Sequence, residues 1–234
     1  MKFVKYGSIL LITFVAVVGV AVPMSATPQS WLEFPLNPML QQKARNIFFH
    51  VPVAWTTVVA FLVGTYYGYR YLKTKNIDYD IRSVSAAGLG LLFCTLATVT
   101  GAIWAKFDWG SFWNWDPRQT SIFVLLLIYG AYFALRSAVE TEEKRGTLSA
   151  VYSIIAGITV PFFIFVMPRL MAGLHPGSKG DPDGAGPVVQ FTMSGNMFVV
   201  FFLALIGFTL LFIWLLSLRV RTARLEYAQS IHRS

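Results

Sequence analysis

Six stretches of about 20 mostly apolar residues, the length needed to cross a bilayer, decide what this chain can fold into. They run from about Tyr6 to Met24, Phe48 to Tyr71, Val84 to Trp104, Ser121 to Ala138, Leu148 to Met167 and Met197 to Leu218. A bilayer core offers no water to backbone N–H and C=O groups, so each stretch must satisfy its own polar groups as a helix. The predicted fold is all-α, a polytopic integral membrane protein with one six-helix domain over residues 1–234. Apolar side chains make up 56% of the chain and charged ones 13%, which excludes an ordinary soluble domain. No stretch has a Lys, Arg, Asp or Glu at its middle, which argues against a proton or ion pump.

A formal charge of +8 could point to nucleic acid, but the basic residues are dispersed over short loops and form no single patch. Topology accounts for them better, so no nucleic-acid partner is expected. With a cytoplasmic N-terminus, Lys2, Lys5, Arg70, Lys73, Lys75, Arg82, Arg136, Lys144, Arg145, Arg219, Arg221, Arg224 and Arg233 lie inside. Lys43, Arg45, Lys106, Arg118, Arg169 and Lys179 lie outside, and this asymmetry is the positive-inside pattern. The outer loops are then about 25–47, 105–119 and 168–196, and 219–234 is a basic cytoplasmic tail. Lys2 and Lys5 before an apolar run ending near Ser25 and Ala26 also fit a cleaved signal peptide; a retained span is favoured. The single cysteine, Cys94, falls within the third span and reads as a small buried residue.

Between the third and fourth spans the stretch from Trp104 to Thr120, WAKFDWGSFWNWDPRQT, holds four of the seven tryptophans. Leaving large apolar rings in water forgoes roughly 1.5 to 3 kcal/mol each, so something flat is expected to cover them. Asp116 is placed to N-cap the next helix, with Pro117 at its first position and Gln119 as partner of a variant capping box. The cap by itself would account for Asp116. Arg118 reads equally well as a residue snorkelling at the interface.

The histidines add a second signal. His50 lies at the start of the second span, where Pro52 predicts a kink, as Pro161 does in the fifth. His175 lies in the last outer loop, MPRLMAGLHPGSKGDPDGAGPVVQF, which is rich in Gly and Pro and reads as irregular and adjustable. His232 sits in the basic tail. In the first outer segment Asn37 and Pro38 read as a cap and first helical position, with Trp31 and Phe34 at the membrane interface. Two imidazoles, aromatic walls and the cations Lys106, Arg118, Arg169 and Lys179 on one side make the inventory of a haem site: axial nitrogens, flat apolar faces and partners for propionates. Zinc needs three or four ligands; only a mixed site with Asp108, Asp181 and Asp183 would supply them. The rings alone fit an aromatic belt at headgroup level as well as a ligand platform.

Trp109, Gly110, Trp113, Trp115, Asp116, Arg118 and Thr120 match the pattern W-G-x-x-W-x-W-D-x-R-x-T of the tryptophan-rich WWD domain. With FFHVP at the second span, VTGAIWAK before the pattern and LHPGS after it, the chain resembles the CcmC family of cytochrome c biogenesis over nearly its whole length. The resemblance implies that His50 and His175 are axial ligands of haem iron, and that Trp109, Trp113, Trp115 and Asp116 belong to the haem-presenting loop. Trp104 and Arg118 join them as candidate haem-binding residues. It further implies transiently bound haem b, a membrane-anchored haem chaperone that receives it, ABC-type transporter subunits and a small membrane subunit as partners, and a bacterial-type inner membrane. Delivery of haem is the implied activity, with no conventional enzyme chemistry. A kinked helix carrying His50 and a flexible loop carrying His175 lead to the expectation that His175 lets go while His50 holds. A b-type cytochrome for electron transfer and a permease-like structural subunit with an aromatic belt are the competing readings.

Overall fold

The computed structural model describes residues 1–37, 40–175, 178–179 and 195–233. Among the described residues six helices are long and apolar enough to cross a membrane, in the order the apolar stretches predict. Five of them are α1 (Lys2–Ala21), α2 (His50–Thr74), α3 (Ile77–Trp109), α4 (Pro117–Ala138) and α5 (Glu142–Pro161). The chain continues through a π-helical turn (Phe162–Val166) and a short α6 (Met167–Leu170) before the sixth long helix, α7 (Gly195–Arg233). Between α1 and α2 lie a two-residue parallel pair, β1 (Met24–Ser25) with β2 (Phe34–Pro35), and a 3-10 helix (Gln41–Phe48).

Helix α3 is the centre of the bundle, touched by α2, α4 and α7, while α1 packs on α7 and α5 on α2. Small residues allow this closeness, as expected where lipid supplies no hydrophobic drive between helices. A methyl group at Gly90 would overlap the Phe61 ring, so glycine is what lets α2 close on α3 there. Phe61 in turn stacks on Tyr129 of α4, ring centroids 3.4 Å apart. Cys94 is buried in the same core.

The two ends of the bundle differ in chemistry. At one end Arg136 of α4 binds both carboxylate oxygens of Asp80 on α3, at 2.8 and 2.5 Å. There too Arg224 of α7 pairs with Asp78, and Tyr227 donates to Glu142. The other end gathers the 3-10 helix, the start of α2, the end of α3, the start of α4 and the segment around His175.

Several local expectations are corrected. Helix α2 begins at His50, so Pro52 lies in its first turn, where a missing N–H leaves no intrahelical bond unmade. Pro161 closes α5 and is followed by the π-helical turn, a recognised form of helix irregularity. Helix α3 continues to Trp109 before Gly110, at φ +80°, ends it in the left-handed region. Trp104, Lys106, Asp108 and Trp109 are therefore helical. Phe34 is buried against Phe48, whereas Trp31 is exposed. Asn37 accepts from the Leu40 N–H at 3.0 Å; Pro38 lies outside the described residues. The stretch 219–233 continues α7 as helix, with His232 exposed.

Candidate functional site

Asp116 caps α4: its Oδ1 accepts from the Arg118 N–H at 2.9 Å, with Pro117 at the first helical position. Gln119 does not close the predicted box. Its Oε1 accepts from the Asn114 N–H at 2.8 Å and its Nε2 donates to the Phe112 carbonyl at 3.2 Å, so it clasps the loop upstream of the cap. That clasp helps hold Trp115 at φ +54°, a left-handed backbone unusual for a bulky residue.

The cap does not exhaust Asp116. Its Oδ2 accepts from the Leu174 N–H at 2.7 Å and the His175 N–H at 3.4 Å, and its Oδ1 pairs with His175 Nδ1 at 3.0 Å. Leu174 and His175 are thus bonded to the start of α4; 176–177 and 180–194 of the predicted irregular loop lie outside the described residues. Glycine at position 173 makes room, since a Cβ there would lie 2.7 Å from Asp116 Oδ2. Burial by itself would push the Asp116 carboxyl upward. The hydrogen bond and charge of His175, with the N–H groups of Arg118 and Leu174, reverse this and hold it at about 2. Burial lowers His175 below its ordinary value despite the pull of Asp116. The pair is therefore a neutral imidazole on an ionised carboxylate. A carboxylate only accepts, so Nδ1 carries the proton and the Nε2 lone pair is uncommitted.

His50 reaches the same orientation through different partners. Its Nδ1 lies 2.9 Å from Thr100 Oγ1 on α3. That hydroxyl also lies 2.8 Å from the Leu96 carbonyl and 3.2 Å from the Ala97 carbonyl; with its hydrogen on Leu96 it accepts from His50. His50 is then protonated at Nδ1, with Nε2 free. The ring lies against Gly101, where a Cβ would come within 2.8 Å of its Cε1.

The tryptophans divide into two groups. Trp104 and Trp109, on successive turns at the end of α3, meet at 5.1 Å edge to face and flank His175 at 5.8 and 4.8 Å. Trp113 and Trp115 pack edgewise on each other at 5.7 Å and against Phe123 of α4. Among the described residues no ring contact joins the groups. His175 thus stands beside Trp104 and Trp109, and His50 sits one turn earlier on the same face of traffic along α3, at Thr100 and Gly101.

Arg118 is not a snorkelling residue. Its Nε and Nη2 are buried without a hydrogen-bond partner, and its charge reaches both His50 and His175. Of the other predicted cations, Lys106 donates to the Gly110 carbonyl and Arg169 to the Phe165 carbonyl, while Lys179 is exposed and bridges to Ala172 through its backbone. Asp108 pairs with Lys43, tying the 3-10 helix to the end of α3. No group of three His, Cys, Asp or Glu able to hold a metal ion occurs among the described residues; Asp181 and Asp183 lie outside them.

Two imidazoles with Nδ1 engaged and Nε2 free, a half-buried guanidinium whose Nε and Nη2 have no hydrogen-bond partner, and indole faces beside them fit a haem with its carboxylates. Sequence reasoning gave Thr100 and Gly101 no site role of their own, although both lie in the VTGAIWAK stretch that carries the resemblance, because nothing local ties them to His50. It also missed the second role of Asp116, for which 59 residues of separation give no local signal.

Comparison with known proteins shows the family. The family described as Heme exporter protein C, CcmC, matches residues 2–233. Heme exporter protein C of Paracoccus denitrificans is 30% identical over 179 residues, covering 75% of this chain and 71% of that protein. The protein of the same name from Rhodobacter capsulatus is 28% identical over 176 residues, again 75% and 71%. A putative cytochrome c biosynthesis ccmC-like mitochondrial protein of Marchantia polymorpha is 32% identical over 121 residues, 52% of this chain and 50% of that protein. With the match running from the first residue of α1 to the last of α7, the chain belongs to the CcmC family.

Proposed function

We propose that this protein binds haem at the outer face of a bacterial-type inner membrane and presents it to a membrane-anchored haem chaperone during c-type cytochrome maturation. Family membership supports the coarser role, haem handling in cytochrome c maturation within a membrane complex of related components. The positive-inside charge pattern supports cytoplasmic termini and places the end bearing His50 and His175 outside. ABC-type subunits and a small membrane subunit are the proposed neighbours.

The observation that carries the reading is that both histidines lie along the end of α3, His50 at Thr100 and His175 at Trp104 and Trp109, each with Nδ1 bonded. Haem b is the proposed cargo. His50 and His175 supply the axial nitrogens, Trp104 and Trp109 line the His175 side, and Arg118 offers charge to a propionate. Trp113 and Trp115, grouped apart on Phe123, border the loop where a chaperone would approach. Of the three histidines, His232 belongs to the far end of α7, so no series of ligands crosses the bundle for electron transfer.

The test is spectroscopic. Protein purified after haem-replete expression is expected to show a bis-imidazole, low-spin spectrum, lost in His50→Ala and His175→Ala. Wild-type protein that takes up no haem would overturn the proposal.

A further inference from the structure

The two candidate axial ligands are backed unequally. Behind His175 stands a carboxylate that also receives two backbone N–H groups of the same segment, so ring and backbone are fixed together. Behind His50 stands one neutral hydroxyl, Thr100, whose own hydrogen is spent on Leu96. A carboxylate partner raises the donor strength of an imidazole more than a hydroxyl does. Beside Thr100, Gly101 leaves room for the His50 ring on α3, since a Cβ there would meet Cε1 at 2.8 Å.

We propose that Thr100 and Gly101 are positioning residues that make His50 the weaker, exchangeable ligand of a haem whose firmer ligand is His175 backed by Asp116. This rests on the haem-binding reading and reverses the order of release that loop flexibility predicts. Exchange is a ligand substitution with no net redox change: the His50 Nε2 lone pair leaves the iron and an incoming donor takes its place. Thr100 keeps the freed imidazole in the tautomer that can rebind.

The experiment uses the full chain in detergent, loaded with haem, reduced and exposed to carbon monoxide. In Thr100→Val, which keeps the side-chain shape, and in Gly101→Ala, a five-coordinate high-spin fraction should appear and carbon monoxide should bind roughly tenfold faster, in line with the usual effect of losing a ligand's outer partner. Thr100→Ser should behave as wild type. His50→Gly should keep haem as a five-coordinate species, whereas His175→Gly should lose it. Size-exclusion profiles matching wild type establish that the variants are folded, and Thr100→Val remains informative if Gly101→Ala is not. A wild-type protein with a bis-imidazole spectrum whose Thr100→Val variant has unchanged spectrum and carbon monoxide kinetics overturns this inference alone. So does equal haem retention in the two glycine variants. Absence of haem from wild type overturns the functional reading, and this inference with it.

Discussion

Asp116 and His175, 59 residues apart in the chain, share a 3.0 Å hydrogen bond in which the carboxylate that starts α4 also fixes the tautomer of the imidazole. One buried side chain thereby joins a helix start, the backbone of a second segment and a candidate iron ligand. Asp116→Asn separates these roles. Asparagine caps a helix about as well as aspartate, so α4 should persist, but its amide NH2 would face N–H groups that now find an acceptor. Haem titrations followed by absorbance should give an affinity about 10- to 100-fold weaker, the usual cost of losing an outer partner of a metal-bound histidine.

Acid should weaken haem retention in a defined direction. His175 titrates below its unfolded value of about 6.5, so neutral imidazole contributes fully above that pH, and the contribution is lost as pH falls below it. The Asp116 carboxylate contributes above its own unfolded value of about 3.9 and loses this only as pH falls toward about 2. Haem content measured after equilibration should be level from pH 8 to about 6.5 and decline below. A decline beginning on the alkaline side would contradict the assignment.

Arg118 should act oppositely on the empty and loaded protein. A buried guanidinium with Nε and Nη2 unpartnered is a burden on the fold. Arg118→Met is expected to raise the Tm of the haem-free protein while reducing haem affinity. Thermal unfolding and haem titration on the same preparations check the two signs together.

At the far end of the bundle, Arg136→Met strands the buried carboxylate of Asp80. Removing one member of a buried pair costs about 3 to 5 kcal/mol, so Tm should fall sharply. The double variant Asp80→Asn with Arg136→Met should recover much of the loss, because no charge is then left without a partner.

Gly110→Ala isolates backbone strain. The residue has φ +80° with nothing near the added methyl, so the cost is conformational, about 1 to 2 kcal/mol. A modest Tm decrease with an unaltered haem spectrum is expected.

Much of this protein is legible in its sequence because lipid imposes a one-dimensional rule: an apolar run of sufficient length must be a helix, whatever its neighbours. Six runs gave six helices, and the cap at Asp116 was equally local, since a cap is a contact between residues two apart. The resemblance to CcmC likewise rested on short patterns. Only the tertiary structure decided how those pieces act on one another. It placed Thr100 and Gly101 under His50, put Pro52 in the first turn of α2, parted the loop tryptophans into two groups, buried Nε and Nη2 of Arg118 and made Asp116 the anchor of His175. The physical reason is that hydrogen-bond direction and close packing depend on which helix faces meet, and the order of residues along one helix does not contain that information.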